Sequence, residues 1–351
     1  MQTHGQLRPS SLPFPGRILC LILLLLACGH GLEAATVTLR LGTLAPHGTS
    51  YHKSLMLMGE KWKAAANGGV QLKVFPGGAQ GSESDTVGLM QTGNLDAALL
   101  TAVGLADIEP AVTALQSMPM AFHSLEEVDY VGSKLRPMLE QRLLAKGYVV
   151  LFWSDSGWVR FFTKTAAVRP DEVRKLKMFS WAGSSTEFDL WKSSGFNPVS
   201  LETKAIGQAL LSDTVSAVPL PPFFALAGQM DLQLKHMLEL NWAPLVGALV
   251  IRKASWEKLP VETREAMLKV ATDIGRQIKA DGRAENETSV AAMVKRGLVV
   301  HPVPPEVDAE WRSAVGKVEG QIRGKIVPAD MYDEVQRLLK EFKAQGGAAP
   351  K

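Results

Sequence analysis

TVTLRLGTLAPHGTSYHKSLMLMGEKWKAAANGGVQLKVFPGGAQGSESDTVGLMQTGNLDAALLT, residues 36–101, changes its apolar spacing at regular intervals. From Thr36 to Ala45, leucines and β-branched residues alternate with polar ones, the two-residue period of a half-buried strand. From His47 to Ala66 the spacing widens, and Leu55, Met58 and Trp62 fall three and four apart on one helical face. Val70 to Phe75 reads as a second strand, closed by Pro76-Gly77-Gly78. Ser82 opens a helix that ends near Gly93, and Asp96 to Thr101 is a third strand. The order β-α-β-α-β argues for a largely parallel sheet with helices on both faces.

The alternation returns downstream. Tyr148 to Trp153, Val159 to Thr163 and Leu176 to Ser180 read as strands, and Ser185 to Ser194 and Lys204 to Leu211 as helices, so a second α/β lobe follows. Leu245 to Arg252 is an apolar run expected to cross back to the first lobe. Val261 to Val294 then keeps helical periodicity for more than thirty residues. Such a helix is about 51 Å long at 1.5 Å per residue, more than one lobe needs, and is expected to brace both. The expected division is lobe I at 36–158 plus 246–262, lobe II at 159–245, the long helix and C-terminal helices at 263–345, and a frayed tail at 346–351.

With 351 residues, 46% hydrophobic and 21% charged, the chain can bury a sizeable two-lobed core. Arg8 and Arg17 precede the apolar run Ile18 to Ala27, which matches the h-region of a secretory signal and is too short to span a bilayer unaided. Residues 1–34 are therefore expected to be a leader. Two processing sites compete in it: Leu25-Leu26-Ala27-Cys28 resembles a lipobox that would put a lipid anchor on Cys28, and Ala34-Ala35 suits ordinary cleavage. Both cysteines, Cys20 and Cys28, lie in this leader, so a chain cut after Ala34 has no disulfide. Removing Arg8, Arg17 and Glu33 takes 38 basic and 35 acidic residues to 36 and 34, which is no nucleic-acid footprint.

Three ordered segments carry a family resemblance: PGGAQGSESDTVGLMQTGNLDAAL from Pro76, RFFTKTAAVRPDEVRKLKMFSWAGSSTEF from Arg160, and NPVSLETKAIGQALLSDTVSAVPLPP from Asn197. Together they resemble the solute-binding proteins of TRAP (tripartite ATP-independent periplasmic) transporters, of the DctP type. The resemblance implies an α/β, two-lobed periplasmic binding protein fold with a hinge. It also implies a small-molecule ligand, a small and a large integral-membrane TRAP subunit as partners, and no cofactor. In that frame Arg160 is a retained cleft arginine. Phe179 stands where an arginine normally clamps the ligand carboxylate, Leu220 replaces an asparagine, and Leu44, Thr101 and Gly104 occupy positions that are polar or charged in other members. A guanidinium offers a planar fork of donors, whereas a phenyl ring offers apolar surface.

The expected ligand-binding set is Arg160, Phe179, Trp181, Trp158, Leu220, Leu44, Thr101 and Trp242. For any single aromatic a core role is the simpler reading, and Arg160 could equally pair with Asp155 or Glu187. One charge-assisted bond contributes roughly 1.5–3 kcal/mol, whereas burying ~300 Å² of apolar surface gives about 7 kcal/mol before association costs. The magnitudes favour an amphipathic or apolar ligand. The alternatives are ordinary organic-acid binding through Arg160, and a lipidated carrier or sensor without TRAP partners. Catalysis is not expected. His47, His52, His123, His236 and His301 are scattered, read as surface or loop residues, and no zinc spacing, nucleophile elbow or dinucleotide fingerprint accompanies them. The hinge is expected near residues 158–160 and 245–248.

Overall fold

Alternation becomes strand and wide spacing becomes helix throughout the opening segment. The computed structural model describes residues 1, 2, 5 and 36–346. The expected leader, with Cys28, and the tail past Gly346 lie outside the described residues. Met1–Thr36 and Val37–Lys351 are separate units, and the described strands and helices all belong to the second.

Strand β1 (Val37–Thr43) pairs in parallel with β2 (Val70–Phe75) and β3 (Ala97–Thr101), Leu39 lying opposite Leu72 and Leu41 opposite both Val74 and Ala97. Between them run helices α1 (Ser50–Ala65) and α2 (Glu83–Gln91). Thr49 caps α1 by accepting from the His52 amide. Ser82 and Asp85 form a reciprocal capping box on α2, which satisfies donors that a helix start otherwise leaves open. After α3 (Leu125–Ala145) the chain enters β4 (Tyr148–Trp158), five residues longer than its alternation suggests.

The first sheet has the order β2-β1-β3-β10-β4, and β10 (Pro244–Arg252) is antiparallel to both neighbours. The sheet is thus mixed rather than largely parallel. The cause is the apolar run Leu245–Arg252, which returns from the second lobe in the opposite sense and inserts between β3 and β4.

The second sheet contains β5 (Arg160–Thr163), β6 (Lys177–Trp181), β7 (Asn197–Leu201), β8 (Ala217–Leu220), β9 (His236–Leu238) and β11 (Val299–His301), in the order β11-β9-β5-β8-β6-β7. Helices α4 (Ser185–Ser193) and α5 (Pro222–Ala227) belong to this half. Two histidines read as surface or loop residues are in strands here: His236 Nδ1 lies 2.9 Å from His301 Nε2 across the β9–β11 pair.

The chain passes between the sheets at Val159 and again just before Pro244. The two crossings hydrogen-bond each other: the Val159 amide donates to Ala243 O at 2.9 Å and the Trp242 amide to Val159 O at 3.3 Å. Residues 245–248, expected to hinge, already lie inside β10, with Val246 opposite Asp155 and Gly247 opposite Thr101. Pairing on both sides stiffens them.

Helix α6 (Val261–Val294) packs on α1, β4 and α5. It buries Met267, Ala271, Ile274 and Ile278 in the core of the first sheet and Met293 in that of the second. Gly275 and Gly282 allow the approach: a Cβ at either would collide with Phe152 or Tyr51. Helix α7 (Pro305–Gly316) then sets Trp311 into an aromatic cluster with Phe161, Phe196 and Trp242.

Candidate functional site

A cleft of about 340 Å³ opens between the two sheets, within the range of small-molecule sites. Its first-sheet wall comes from Leu44, Tyr51, Glu83, Thr101, Ser154 and Asp155, and its second-sheet wall from Trp181, Lys204, Ile206, Leu220, Phe224 and Met230.

Glu83 sits in the first turn of α2, where helix polarity favours a carboxylate. It is buried, and it accepts from the Thr101 amide at 2.7 Å, the Thr101 hydroxyl at 2.5 Å and the Gly104 amide at 2.9 Å. A Cβ at residue 104 would fall 2.6 Å from that of Glu83, so this glycine makes room for the carboxylate. Burial pushes the Glu83 carboxyl up, against the pull of those three donors.

Asp155 is held by a bidentate Arg283, both contacts 2.7 Å, and by the Gly157 amide at 3.2 Å. Arg283 reaches Asp129 on α3 as well, at 2.7 and 3.0 Å. Burial alone would lower this guanidinium's pKa, and the hydrogen bonds to Asp155 and Asp129 more than reverse that. Beside it, Tyr51 Oη lies 2.6 Å from Ser156 Oγ, and the Tyr51 ring stacks on Phe223 of α5 at 5.6 Å. Burial drives the Tyr51 phenol up, so it stays neutral. Asn286 joins the halves: its Nδ2 donates to Ser156 O at 2.5 Å and its Oδ1 accepts from the Phe223 amide at 3.0 Å.

Of the expected ligand-binding residues, Leu44, Thr101, Trp181 and Leu220 line the cleft, and Arg160, Trp158, Phe179 and Trp242 do not. Phe179 is fully buried with Phe162 and Leu220 in one apolar cluster, its ring 5.1 Å from that of Trp181 and nearly perpendicular to it. Trp158 packs against the core of the first sheet. Trp242 stacks on Trp191 at 5.2 Å.

Arg160 shares a strand face with Phe162 and lies opposite Leu220. Its Nη1 is buried without a hydrogen-bond partner among the described residues. Burial lowers its pKa, and the Glu239 charge opposes this. Neither acid suggested as its partner takes that role, since Asp155 belongs to Arg283 and Glu187 accepts from Ser184 Oγ at 3.4 Å.

Sequence reasoning missed Lys204, the one Lys or Arg among the described residues lining the cleft. Its ammonium lies 2.7 Å from Glu202 and is otherwise well exposed. It stands in a single 3-10 turn, Thr203–Ala205, before the helix it was read as opening. A cation at the start of a helix opposes the dipole, and that is the one local signal that could have marked it. Ser154 was missed too: its hydroxyl is buried in the cleft wall beside the Tyr51 phenol.

Comparison with known proteins agrees with this architecture. Residues 41–323 match the model of the DctP family, bacterial extracellular solute-binding protein family 7. The C4-dicarboxylate-binding periplasmic protein DctP of Rhodobacter capsulatus is 24% identical over 265 residues, 74% of this chain and 78% of that protein. Among solved structures, a TRAP periplasmic solute-binding protein from Ralstonia eutropha H16 with bound (S)-2-acetolactate superposes with a TM-score of 0.81 at 18% identity, covering 87% of this chain and 99% of that one. One from Sulfurospirillum deleyianum with bound succinate gives 0.78 at 18% identity over the same shares. These relatives are binding receptors rather than enzymes. The chain belongs to the DctP family of TRAP solute-binding proteins.

Proposed function

We propose that the cleft captures a small organic acid with an apolar body, which this protein carries in the periplasm to the integral-membrane subunits of a TRAP transporter. The observation that carries the reading is the cleft itself. Its second-sheet wall is largely apolar, through Trp181, Ile206, Leu220, Phe224 and Met230, and Lys204 is the one Lys or Arg among its described lining residues. The ligand carboxylate meets the Lys204 ammonium, a mobile point charge, rather than a planar guanidinium fork. Ser154 Oγ, on the first-sheet wall beside the Tyr51 phenol, offers the ligand a further hydrogen bond. The apolar body lies against Trp181 and Leu220. The dicarboxylate named for the Rhodobacter relative and the succinate and acetolactate of the solved structures support an acidic head.

Closure would turn on the paired crossings at Val159 and Trp242–Ala243, with α6 limiting the swing, and would shift the population toward the form the membrane subunits accept. The test is native mass spectrometry of the mature protein, extraction of the co-purified molecule, and titration of that molecule. Lys204→Ala is expected to weaken its binding about tenfold, a charge-assisted bond contributing roughly 1.5–3 kcal/mol. An unchanged affinity would refute the assignment.

A second reading has its own observation. The buried, unpartnered Arg160 Nη1 favours an acid reaching behind the cleft wall to that guanidinium. In that case Arg160→Met abolishes binding and Lys204→Ala barely alters it.

A further inference from the structure

Beside the cleft, and sharing Trp181, Leu220 and Leu245 with it, another cavity of about 80 Å³ reaches the face of the second sheet that carries Ser180. Strand alternation puts Ser180 on that face together with Met178, which packs in the cluster of Phe161, Trp191 and Trp242. Trp191, Phe196, Trp242 and Trp311 wall the chamber. Trp311 Nε1 is already committed to Val168 O at 2.9 Å, so this tryptophan's polar group is occupied outside the chamber.

Two polar groups interrupt these aromatic walls. Ser180 is 2% exposed and its hydroxyl has no hydrogen-bond partner among the described residues. Glu187, at the chamber edge on α4, has two neutral hydrogen-bonding neighbours among the described residues, the Ser184 hydroxyl at 3.4 Å and the Trp191 indole. Burial pushes its carboxyl up. A carboxylate in that position either takes a proton or gains a cation. Aromatic faces attract cations through the ring quadrupole, and aromatic cages are a recognition chemistry of alkylammonium ions.

We propose that this chamber is a second binding site, for a small alkylammonium group whose N–H donors meet Glu187 and Ser180 Oγ and whose carbon atoms lie against the rings of Trp191, Phe196, Trp242 and Trp311. The chamber is much smaller than the cleft. That size suits a short amine rather than a bulky quaternary ion. Gln116, Ser117 and Pro119 of the first half also border the chamber, so an occupant would touch both halves.

The test is titration of the full mature chain with ethylammonium chloride, read from tryptophan indole N–H signals by NMR, with sodium chloride at matched ionic strength as the blank. Ethanol serves as the neutral isostere. Saturable shifts of chamber tryptophans are expected with a Kd on the order of 1 mM, the limit for three atoms, and ethanol should bind at least tenfold more weakly. Glu187→Gln should weaken ethylammonium at least tenfold. Should that variant fail to fold, Ser180→Ala should weaken it several-fold. No saturable shift, ethanol binding as well as the cation, or unchanged affinity in the variants would overturn the site.

Discussion

Arg283 and Arg160 both reach the interior, one on each side of the crossings, and they meet opposite conditions. Arg283 is saturated by Asp155 and Asp129 in bidentate pairs, and Lys279 also contacts Asp129. Arg160 lies among apolar neighbours with Nη1 unpartnered. Glu83 falls between them, fully hydrogen-bonded but only by neutral donors. The difference teaches that charge is paired for structure beside the crossing between the halves, where α6 grips β4 and α3, whereas Arg160 on the second sheet has no such ion pair among the described residues.

The comparison breaks most readily at Arg283. Arg283→Met leaves Asp155 buried with one backbone donor, and removing one partner of a buried ion pair costs about 3–5 kcal/mol. Urea unfolding is expected to show a loss of that size. A loss under about 1 kcal/mol would mean that Asp155 finds water or Lys279, 3.8 Å away, and that the network is ornament.

A smaller effect sharpens the middle case. Glu83 holds its proton to higher pH folded than unfolded, so the folded state binds more protons above the ordinary value of 4.5. Its contribution therefore falls as pH rises from there through the folded value, by at most about 1.4 kcal/mol per pH unit. Glu187 titrates in the same direction, whereas Asp129, whose carboxyl the Arg283 and Lys279 contacts pull down despite burial, loses its contribution only as pH falls below the ordinary range. Glu83→Gln should flatten part of the decline above pH 4.5 in a pH series of unfolding midpoints. An unchanged slope would show that Glu83 stays ionised.

The fold was legible because strand alternation and helix spacing are local. The pattern of Thr36–Thr101 marked β1, β2, β3, α1 and α2, and the long helix runs from Val261 to Val294 as its spacing predicts. The antiparallel insertion of β10 was not legible, because direction within a sheet is set by where the chain returns from. The site was half legible. The family frame identified Leu44, Thr101, Trp181 and Leu220, whereas Lys204 and Ser154 become lining residues only when the two halves face each other. For Arg160 the residue was legible and its surroundings were not, since Phe179, Leu220 and Phe162 come from three strands that adjoin only in the sheet.

The smallest effect is expected at Arg160. Arg160→Met keeps an unbranched apolar stem in place of the arginine's own and removes a guanidinium whose Nη1 has no partner, a group whose desolvation costs about 1–3 kcal/mol. Loss of the Glu239 attraction offsets part of that gain, because Glu239 is the one charge that supports the cation. The ligand-free protein should therefore unfold within about 1 kcal/mol of the parent, on the stabilising side, in the same urea experiment that exposes Arg283. A loss approaching that of Arg283→Met would erase the contrast between the two arginines and show that Arg160 is paired in solution. If that loss appeared only in protein carrying its co-purified molecule, the pairing partner would be the ligand, and the second reading of the cleft would gain what the first had lost.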